Sequence, residues 1–295
     1  MFRYTDKVAY VLTRGSVDRY RVPSGSNLVL CVKVKARQMI TEKSPESWQQ
    51  LQEWTAQILR ECGWVSETEV KANTVRGTVE IDVYAIETVQ GREYKTVIEC
   101  KNWKARVPQN VVHGFRTVMA DVGANTGYII SKTGFQAGAY EAAANTNVKL
   151  LSWTEFQEVF EDQWYWAYLS QQAREVLDPL CSYLEPLPAM IHWDSYLTEG
   201  EVDRLKEMYH RHFPIGGLIM VLHPFMAMMH GREKRIRLPL GDRAKDYGDL
   251  PDALTSRTGY REFFDELVKH ALPILAEFQS FRNLALERKR AAEGS

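Results

Sequence analysis

The sequence lacks paired cysteines. Its four cysteines, Cys31, Cys62, Cys100 and Cys181, lie far apart and form no CxxC pair. This spacing argues against a zinc ribbon, a thioredoxin-type motif and a disulfide framework. We therefore expect a protein of a reducing compartment, the cytoplasm.

Long apolar runs are also missing. A membrane-spanning helix needs about 20 consecutive apolar residues, and the most apolar stretch, residues 215–229, is interrupted by His223 and Pro224. The first ten residues contain no apolar core of the length of a signal peptide. The sequence thus predicts a protein that does not contact a membrane.

Neither sign of charge is in excess. Lysine and arginine total 37 against 38 for aspartate and glutamate, a formal net charge of −1. A protein with this balance cannot attract DNA by its overall charge, so any nucleic-acid contact must come from local basic patches. The hydrophobic content of 45% is that of an ordinary globular core.

Three segments differ in their residue patterns. Residues 1–43 alternate weakly between apolar and polar, as in 7–13 and 27–35, and are interpreted as a β-rich N-terminal segment. Residues 44–160 alternate between helical and strand patterns. Residues 161–295 carry long helical patterns broken by prolines and are predicted to form a mainly helical accessory or assembly domain.

The middle segment predicts an α/β fold. Ser44 and Pro45 are typical of an N-cap and a first helical position, and Gly63 is a natural end for the helix that follows them. The remaining elements are predicted as strands 65–70, 78–86 and 94–103, helix 109–122, strand 127–131, helix 135–145, strand 148–152 and a helix from near Thr154. The order αβββαβαβα implies an α/β sandwich.

Three charged residues stand in the segment GTVEIDVYAIETVQGREYKTVIECKNWK, residues 77–104. If its two strands form a hairpin centred on Gln90 and Gly91, facing residues have numbers that sum to 181, so Asp82 lies opposite Glu99. Side chains alternate along a strand, so Glu99 and Lys101 share one face.

This arrangement indicates a metal-dependent hydrolase. Two carboxylates facing each other repel, and a Mg²⁺ or Mn²⁺ ion would compensate them. Lys101 would orient a water nucleophile and stabilise charge developing on phosphorus. The alternative is an exposed sheet face on which the same three side chains are merely solvated. The apolar run TVIEC favours a buried central strand, where unpaired charges are costly.

The ordered motifs LQEWTAQILRECGW, EIDVYA, IECKNWK, VVHGFRTVMADVGANTGYIISKTGFQAGAYEAA and VKLLSW resemble the Mrr-like branch of the PD-(D/E)xK restriction endonucleases, over residues 48–160. The resemblance implies a restriction-endonuclease-like αβββαβ core. It also implies that Asp82, Glu99 and Lys101 are catalytic, that Asp82 and Glu99 bind the metal, and that the carbonyl of Cys100 is a further ligand.

The sequence departs from that family at two positions. Many relatives carry an acidic residue in the first helix where this chain has Gln52, with Glu53 beside it. The helix could supply Glu53 to the metal, Gln52 through a water molecule, or nothing. Many relatives also have glutamine where Glu99 stands, so this site carries more negative charge.

A local basic region follows the catalytic strand. Lys104, Arg106 and Arg116 could track phosphates, although a solvated helix face would look the same. Thr133 and Gly134 precede a predicted helix and could hold a phosphate through backbone amides, or could form a simple strand-to-helix turn.

The resemblance implies a Mg²⁺-dependent endonuclease acting on double-stranded DNA, as a prokaryotic restriction or anti-phage effector. The alternatives are an RNA-cutting or structure-selective nuclease, and a catalytically silent nucleic-acid-binding scaffold. The helical segment 161–295 could pair two protomers into a homodimer, dock a sensor subunit, or buttress the catalytic sheet.

Overall fold

A computed structural model describes residues 8–13, 16–21, 38–184, 194–232 and 235–293. The chain divides into two compact units, Met1–Ala36 and Arg37–Ser295. In the first unit, strands β1 (Val8–Thr13) and β2 (Ser16–Arg21) pair in an antiparallel hairpin. The predicted strand at 27–35 lies outside the described residues.

Helix α1 (Trp48–Glu61) begins the second unit. Its N-cap is Ser47, whose hydroxyl accepts a hydrogen bond from the backbone N–H of Gln50 at 3.1 Å. The predicted start at Ser44 is therefore wrong by one turn, because a second serine closer to the apolar face caps the helix. The predicted end is confirmed, since Gly63 has a positive φ of 90° directly after the last turn.

Five further strands follow: β3 Val65–Thr74, β4 Gly77–Val89, β5 Arg92–Lys101, β6 Thr126–Ser131 and β7 Val148–Leu151. They form one mixed sheet in the order β3-β4-β5-β6-β7. The first three strands pair antiparallel, whereas β5–β6 and β6–β7 pair parallel. The predicted α/β class and the element order are confirmed.

Helices cover both faces of this sheet. Helices α2 (Gln109–Val122) and α3 (Ala137–Ala143) pack on one face in a core that includes Val97, Phe115 and Ile129. Helices α1 and α4 (Trp153–Trp164) pack on the other in a core that includes Ile98 and Phe156. The prediction for α2 matches the observed bounds.

Gly127 of β6 allows the close approach of α2. A Cβ atom at this position would lie 2.3 Å from the sulfur of Met119 and 2.6 Å from the ring of Phe115. Any larger residue would therefore displace the side chains of Met119 and Phe115.

The C-terminal region is mostly helical, as predicted. A π-helical turn (Tyr165–Leu169) follows α4. The next helices are α5 Ser170–Leu184, α6 Glu199–Leu222, α7 Pro224–His230, α8 Asp252–Thr255 and α9 Tyr260–Glu293. Their apolar side chains continue the core on the α1 and α4 face of the sheet, so packing is continuous across residue 160. The division into domains at residues 43 and 160 stays a prediction.

Within the part of the chain that the structure describes, no single helix is long and apolar enough to cross a membrane. Helices α6 and α7, bent by 64° at their junction, reach that length and composition only as a pair.

One ion pair joins the start of α9 to the end of α1, and a hydrogen bond joins α4 to the same carboxylate. The guanidinium of Arg261 donates to both carboxylate oxygens of Glu61 at 3.0 and 2.6 Å, and the indole N–H of Trp164 donates to the same carboxylate. Glu61 ends α1, the helix whose middle turn reaches the candidate site. The position of α1 thus depends on contacts with the C-terminal helices.

Candidate active site

The hairpin of β4 and β5 sets the position of the candidate catalytic residues. Cα partners run from Val83–Ile98 to Val89–Arg92, and every pair sums to 181, so the predicted register is confirmed. Gln90 and Gly91 both have positive φ, 51° and 77°, as a two-residue hairpin turn of type I′ requires.

Asp82 does not extend this ladder, which ends at the pair Val83–Ile98. Its Oδ2 atom instead accepts a hydrogen bond from the backbone N–H of Cys100 at 2.7 Å. Ile81 lies in the core under α2, whereas Val83 lies in the core under α1. The alternation of side chains is therefore interrupted at Asp82, where a carboxylate bonds to the N–H of the neighbouring strand.

Gln52 of α1 makes the second bond to this carboxylate. It is buried, and its Nε2 atom donates to Oδ1 of Asp82 at 2.9 Å. A carboxylate offers about four lone-pair positions, so Asp82 is held in place by two donors and retains acceptor capacity for a further ligand.

Glu99 and Lys101 lie side by side on β5. The ammonium of Lys101 pairs with the carboxylate of Glu99, and both side chains are largely buried, 16% and 25% exposed respectively. The same ammonium lies 5.0 Å from the ring centre of Trp103. The two charged groups predicted to share a face of the strand are thus in contact.

Burial raises the pKa of Glu99, and the negative charge of Asp82 raises it further, while Lys101 acts in the opposite direction. The negative charge of Asp82 thus opposes ionisation of Glu99. A bound cation would relieve this repulsion.

Glu53 takes no part in this cluster. Its side chain is 57% exposed and forms an ion pair with Arg60 of the same helix. Helix α1 therefore presents Gln52 to Asp82, and Glu53, its neighbour in sequence, lies about 100° further round the helix. The predicted metal contact of Glu53 has no counterpart among the contacts of the described residues.

The side chain of Cys100 is unsuited to metal binding. Burial raises the pKa of its thiol well above the usual range, with Asp82 and Glu99 adding to the effect. The thiol is consequently neutral. The role of the Cys100 carbonyl as a metal ligand stays a prediction.

No group of three or more His, Cys, Asp or Glu side chains in the described ranges is placed to hold a metal ion. The two carboxylates of Asp82 and Glu99 and the carbonyl of Cys100 are all oxygen donors. Mg²⁺ commonly binds one or two carboxylates and completes its shell with water and substrate phosphate. This donor set fits a hard divalent ion of that kind.

The turn at Thr133 and Gly134 bonds internally. The N–H of Gly134 donates to the hydroxyl of Ser131 at 3.1 Å, and its carbonyl accepts from the N–H of Val107 at 3.0 Å. The hydroxyl of Thr133 donates to the carbonyl of Ala105 at 2.7 Å. These bonds tie the turn to the loop after β5. They are the contacts expected of a simple strand-to-helix turn, the alternative to a phosphate site.

The predicted basic residues separate into two groups. Lys104 and Arg106 are exposed in the loop between β5 and α2, beyond the candidate site. Arg116 is exposed on α2 and lines a groove with Arg76, a residue from the turn between β3 and β4. Sequence analysis missed Arg76 because nothing in a local pattern places that turn beside α2.

Residues 44–160 match the family described as restriction endonuclease. No curated protein shows significant similarity to the chain. One solved structure, of a protein of unknown function designated AF1548, is similar over 84% of this chain and 99% of that one, at 16% identity and a TM-score of 0.31. This likeness is too low to carry an inference.

Proposed function

We propose that the protein, whose residues 44–160 belong to the Mrr-like, PD-(D/E)xK family of restriction endonucleases, is a Mg²⁺-dependent endonuclease of double-stranded DNA. The observation that carries the proposal is the carboxylate of Asp82, held by Gln52 and by the backbone of Cys100, next to the buried pair of Glu99 and Lys101.

In this proposal Asp82, Glu99 and the carbonyl of Cys100 hold the ion. When bound, the ion lowers the pKa of a water ligand and stabilises negative charge on the phosphate oxygens. Mn²⁺ has the same ligand preferences and would substitute for Mg²⁺.

The side chains have separate tasks. Gln52 fixes the orientation of Asp82, so that the carboxylate does not have to be ordered when the substrate arrives. Lys101 supplies a cation that orients the attacking water and stabilises the charge that develops on the phosphoryl group. Its present partner is Glu99, so occupation of Glu99 by a metal ion would release the ammonium towards the substrate.

The reaction is direct hydrolysis. The oxygen of water forms a bond to phosphorus, the ester bond to one sugar oxygen breaks, and that oxygen leaves with a proton. The products are a phosphate monoester and a free hydroxyl, without a covalent enzyme intermediate.

We propose a restriction or anti-phage role in the cytoplasm of a prokaryote, in keeping with the family. One such centre cuts one strand, so double-strand cleavage requires two protomers or two successive events. The helical region after residue 160 is proposed to pair protomers or to dock a sensor subunit.

The test is a cleavage assay on supercoiled plasmid, linear duplex, single-stranded DNA and RNA, with and without Mg²⁺. The expected result is cleavage of both DNA duplexes only when the ion is present. Cleavage confined to RNA would identify RNA, and not DNA, as the substrate. Binding without cleavage of any substrate, in the presence of Mg²⁺ or Mn²⁺, would favour a silent scaffold instead.

A further inference from the structure

A groove of about 720 Å³ follows the outer face of α2. His113, Arg116, Thr117 and Ala120 line it at the spacing of one helix face. The opposite wall consists of Arg76, from the turn between β3 and β4, and of residues 145–147, which precede β7. The groove is therefore built from three segments that are distant in sequence.

The lining of the groove is basic. It contains two arginines and one histidine, and among the described residues that line it none is acidic. Arg76 is 63% exposed and is held by both oxygens of Asp121 at 3.0 and 2.9 Å. This contact anchors the guanidinium at the groove and leaves its remaining N–H groups for another acceptor.

Arg116 has more N–H donors available for a ligand than Arg76 has. Its only hydrogen bond in the described part of the chain is a long one, 3.4 Å, to the carbonyl of Ala142. A guanidinium has five N–H donors in a planar fork that matches two phosphate oxygens. Arg116 and Arg76 thus present two such forks to the same groove.

The other polar side chains suit a sugar-phosphate strand. Asn147 donates to the carbonyl of Asn125 at 2.9 Å, which leaves its amide oxygen for a further donor. Asn145 is exposed beside it. Amides of this kind contact phosphates and sugars without selecting a base.

The groove extends along α2 from the second turn of the helix to beyond its C-terminal end. Helix α2 follows the loop that leaves Lys101, and β6, which follows α2, starts opposite Thr96 at the other end of β5. The helix therefore runs from the catalytic edge of the sheet to the opposite edge. From His113 to Ala120 it rises about 10 Å at 1.5 Å per residue, which corresponds to about three nucleotides of one strand at 3.4 Å each.

We propose that this groove binds the phosphate backbone of a nucleic-acid strand through Arg76 and Arg116. This inference rests on the proposed nuclease function and adds to it a substrate-holding surface outside the catalytic centre. The contact is independent of sequence, because phosphates and not base edges meet the arginines.

The experiment measures binding without cleavage. A fluorescein-labelled duplex is titrated in EDTA with the wild type, with Arg76→Gln/Arg116→Gln, and with the control Arg174→Gln/Arg282→Gln. The control removes the same charge from exposed positions on α5 and α9. Each phosphate contact contributes about one unit to the slope of log K against log salt.

The expected result is a slope smaller by about two for the groove variant and an unchanged slope for the control. Equal slopes for the two variants would overturn the proposal. The variant Arg76→Lys/Arg116→Lys, which keeps the charge, guards against misfolding and should retain most of the slope. If the double glutamine variant is unfolded by circular dichroism, Arg76→Gln and Arg116→Gln are tested singly: a slope smaller by about one for each supports the groove, and unchanged slopes for both overturn it.

Two further arms separate possible sources of phosphate. If inorganic phosphate or a mononucleotide protects the groove arginines from a dicarbonyl reagent and the duplex does not, the groove binds a small ligand and the proposal is overturned. Protection by the duplex alone supports it. These measurements do not depend on cleavage. If the protein binds the duplex through the groove but cuts no nucleic acid, the nuclease function is refuted and the groove proposal is retained.

Discussion

The Nε2 atom of Gln52 lies 2.9 Å from the Oδ1 atom of Asp82, which brings the middle of α1 into contact with the candidate catalytic strand pair. The backbone N–H of Cys100 bonds to the other oxygen of the same carboxylate. Asp82 is thus oriented by a helix and by a strand before any ligand binds. Helix α1 is therefore part of the site. It contributes the amide of Gln52 at the position where the family resemblance predicts an acidic residue.

Replacement of Gln52 tests this orientation. Gln52→Leu removes the donor and leaves one oxygen of Asp82 without a partner, so we expect a loss of about 1–3 kcal/mol of stability and slower cleavage. Gln52→Glu adds a negative charge beside Asp82. This variant should be less stable without metal and should reach half-maximal cleavage at a lower Mg²⁺ concentration.

The matched control for these variants is Glu53→Gln. Because Glu53 is exposed and pairs with Arg60, the substitution should leave both the Mg²⁺ dependence and the stability almost unchanged. A large rise in the Mg²⁺ requirement of Glu53→Gln would restore Glu53 as a metal ligand.

Lys101 is expected to act in the chemical step. Lys101→Met keeps much of the volume of the side chain and removes its charge, so cleavage should fall at least 100-fold, as on removal of a group that stabilises the transition state. Metal binding should persist, since Glu99 loses a competing cation. Lys104→Met, in the exposed loop that follows, should lower cleavage only slightly. Similar losses for the two variants would contradict a specific role for Lys101.

The raised pKa of Glu99 predicts a pH dependence of stability. Ionising this group is harder in the folded protein than in the unfolded chain, so without divalent ions the free energy of unfolding should fall as pH rises through the folded pKa. The side chain of Glu99→Gln cannot ionise, so this variant lacks the pH-dependent contribution to the free energy of unfolding. Both proteins are denatured in EDTA between about pH 4 and pH 8. The free energy of unfolding of the variant minus that of the wild type gives a gap that should grow with pH. A gap that is constant, or that narrows with pH, would count against the assigned repulsion.

The pair of Arg261 and Glu61 is predicted to couple the C-terminal helices to α1. The carboxylate of Glu61 is largely buried, so Arg261→Met should cost about 3 kcal/mol, because it leaves a buried charge without its partner. Lys206→Met breaks only an exposed pair with Asp203 and should cost less than about 1 kcal/mol. Urea denaturation measures both losses in the free energy of unfolding. Equal losses would contradict this coupling.

Local patterns predicted the parts of the site that lie within one hairpin. Gln90 and Gly91 set the register because they form a two-residue hairpin turn with two positive φ angles, and the apolar spacing of α2 defined its ends. The interruption of alternation at Asp82 could not be predicted, since it depends on two cores meeting on opposite faces of the sheet. The choice of Gln52 over Glu53 likewise depends on the rotation of α1 against the sheet.

Contacts between distant segments account for the other differences. The N-cap at Ser47 and the one at Ser44 are locally equivalent, and packing of the helix selects the former. Arg76 reaches the groove beside Arg116 because the turn between β3 and β4 folds next to Asp121. No sequence window contains both arginines, so the groove is visible only in the folded chain.

The central claim is that Asp82 and Glu99 together bind the catalytic metal. Calorimetry with Mn²⁺ or Ca²⁺ and plasmid cleavage with Mg²⁺, on the wild type and on Asp82→Asn/Glu99→Gln, test it most directly. We predict that the wild type binds both ions, that Ca²⁺ supports little turnover because its looser geometry positions water poorly, and that the folded double variant loses binding and cleavage together. Wild-type cleavage by the folded double variant, or undiminished activity in excess EDTA, would contradict the account.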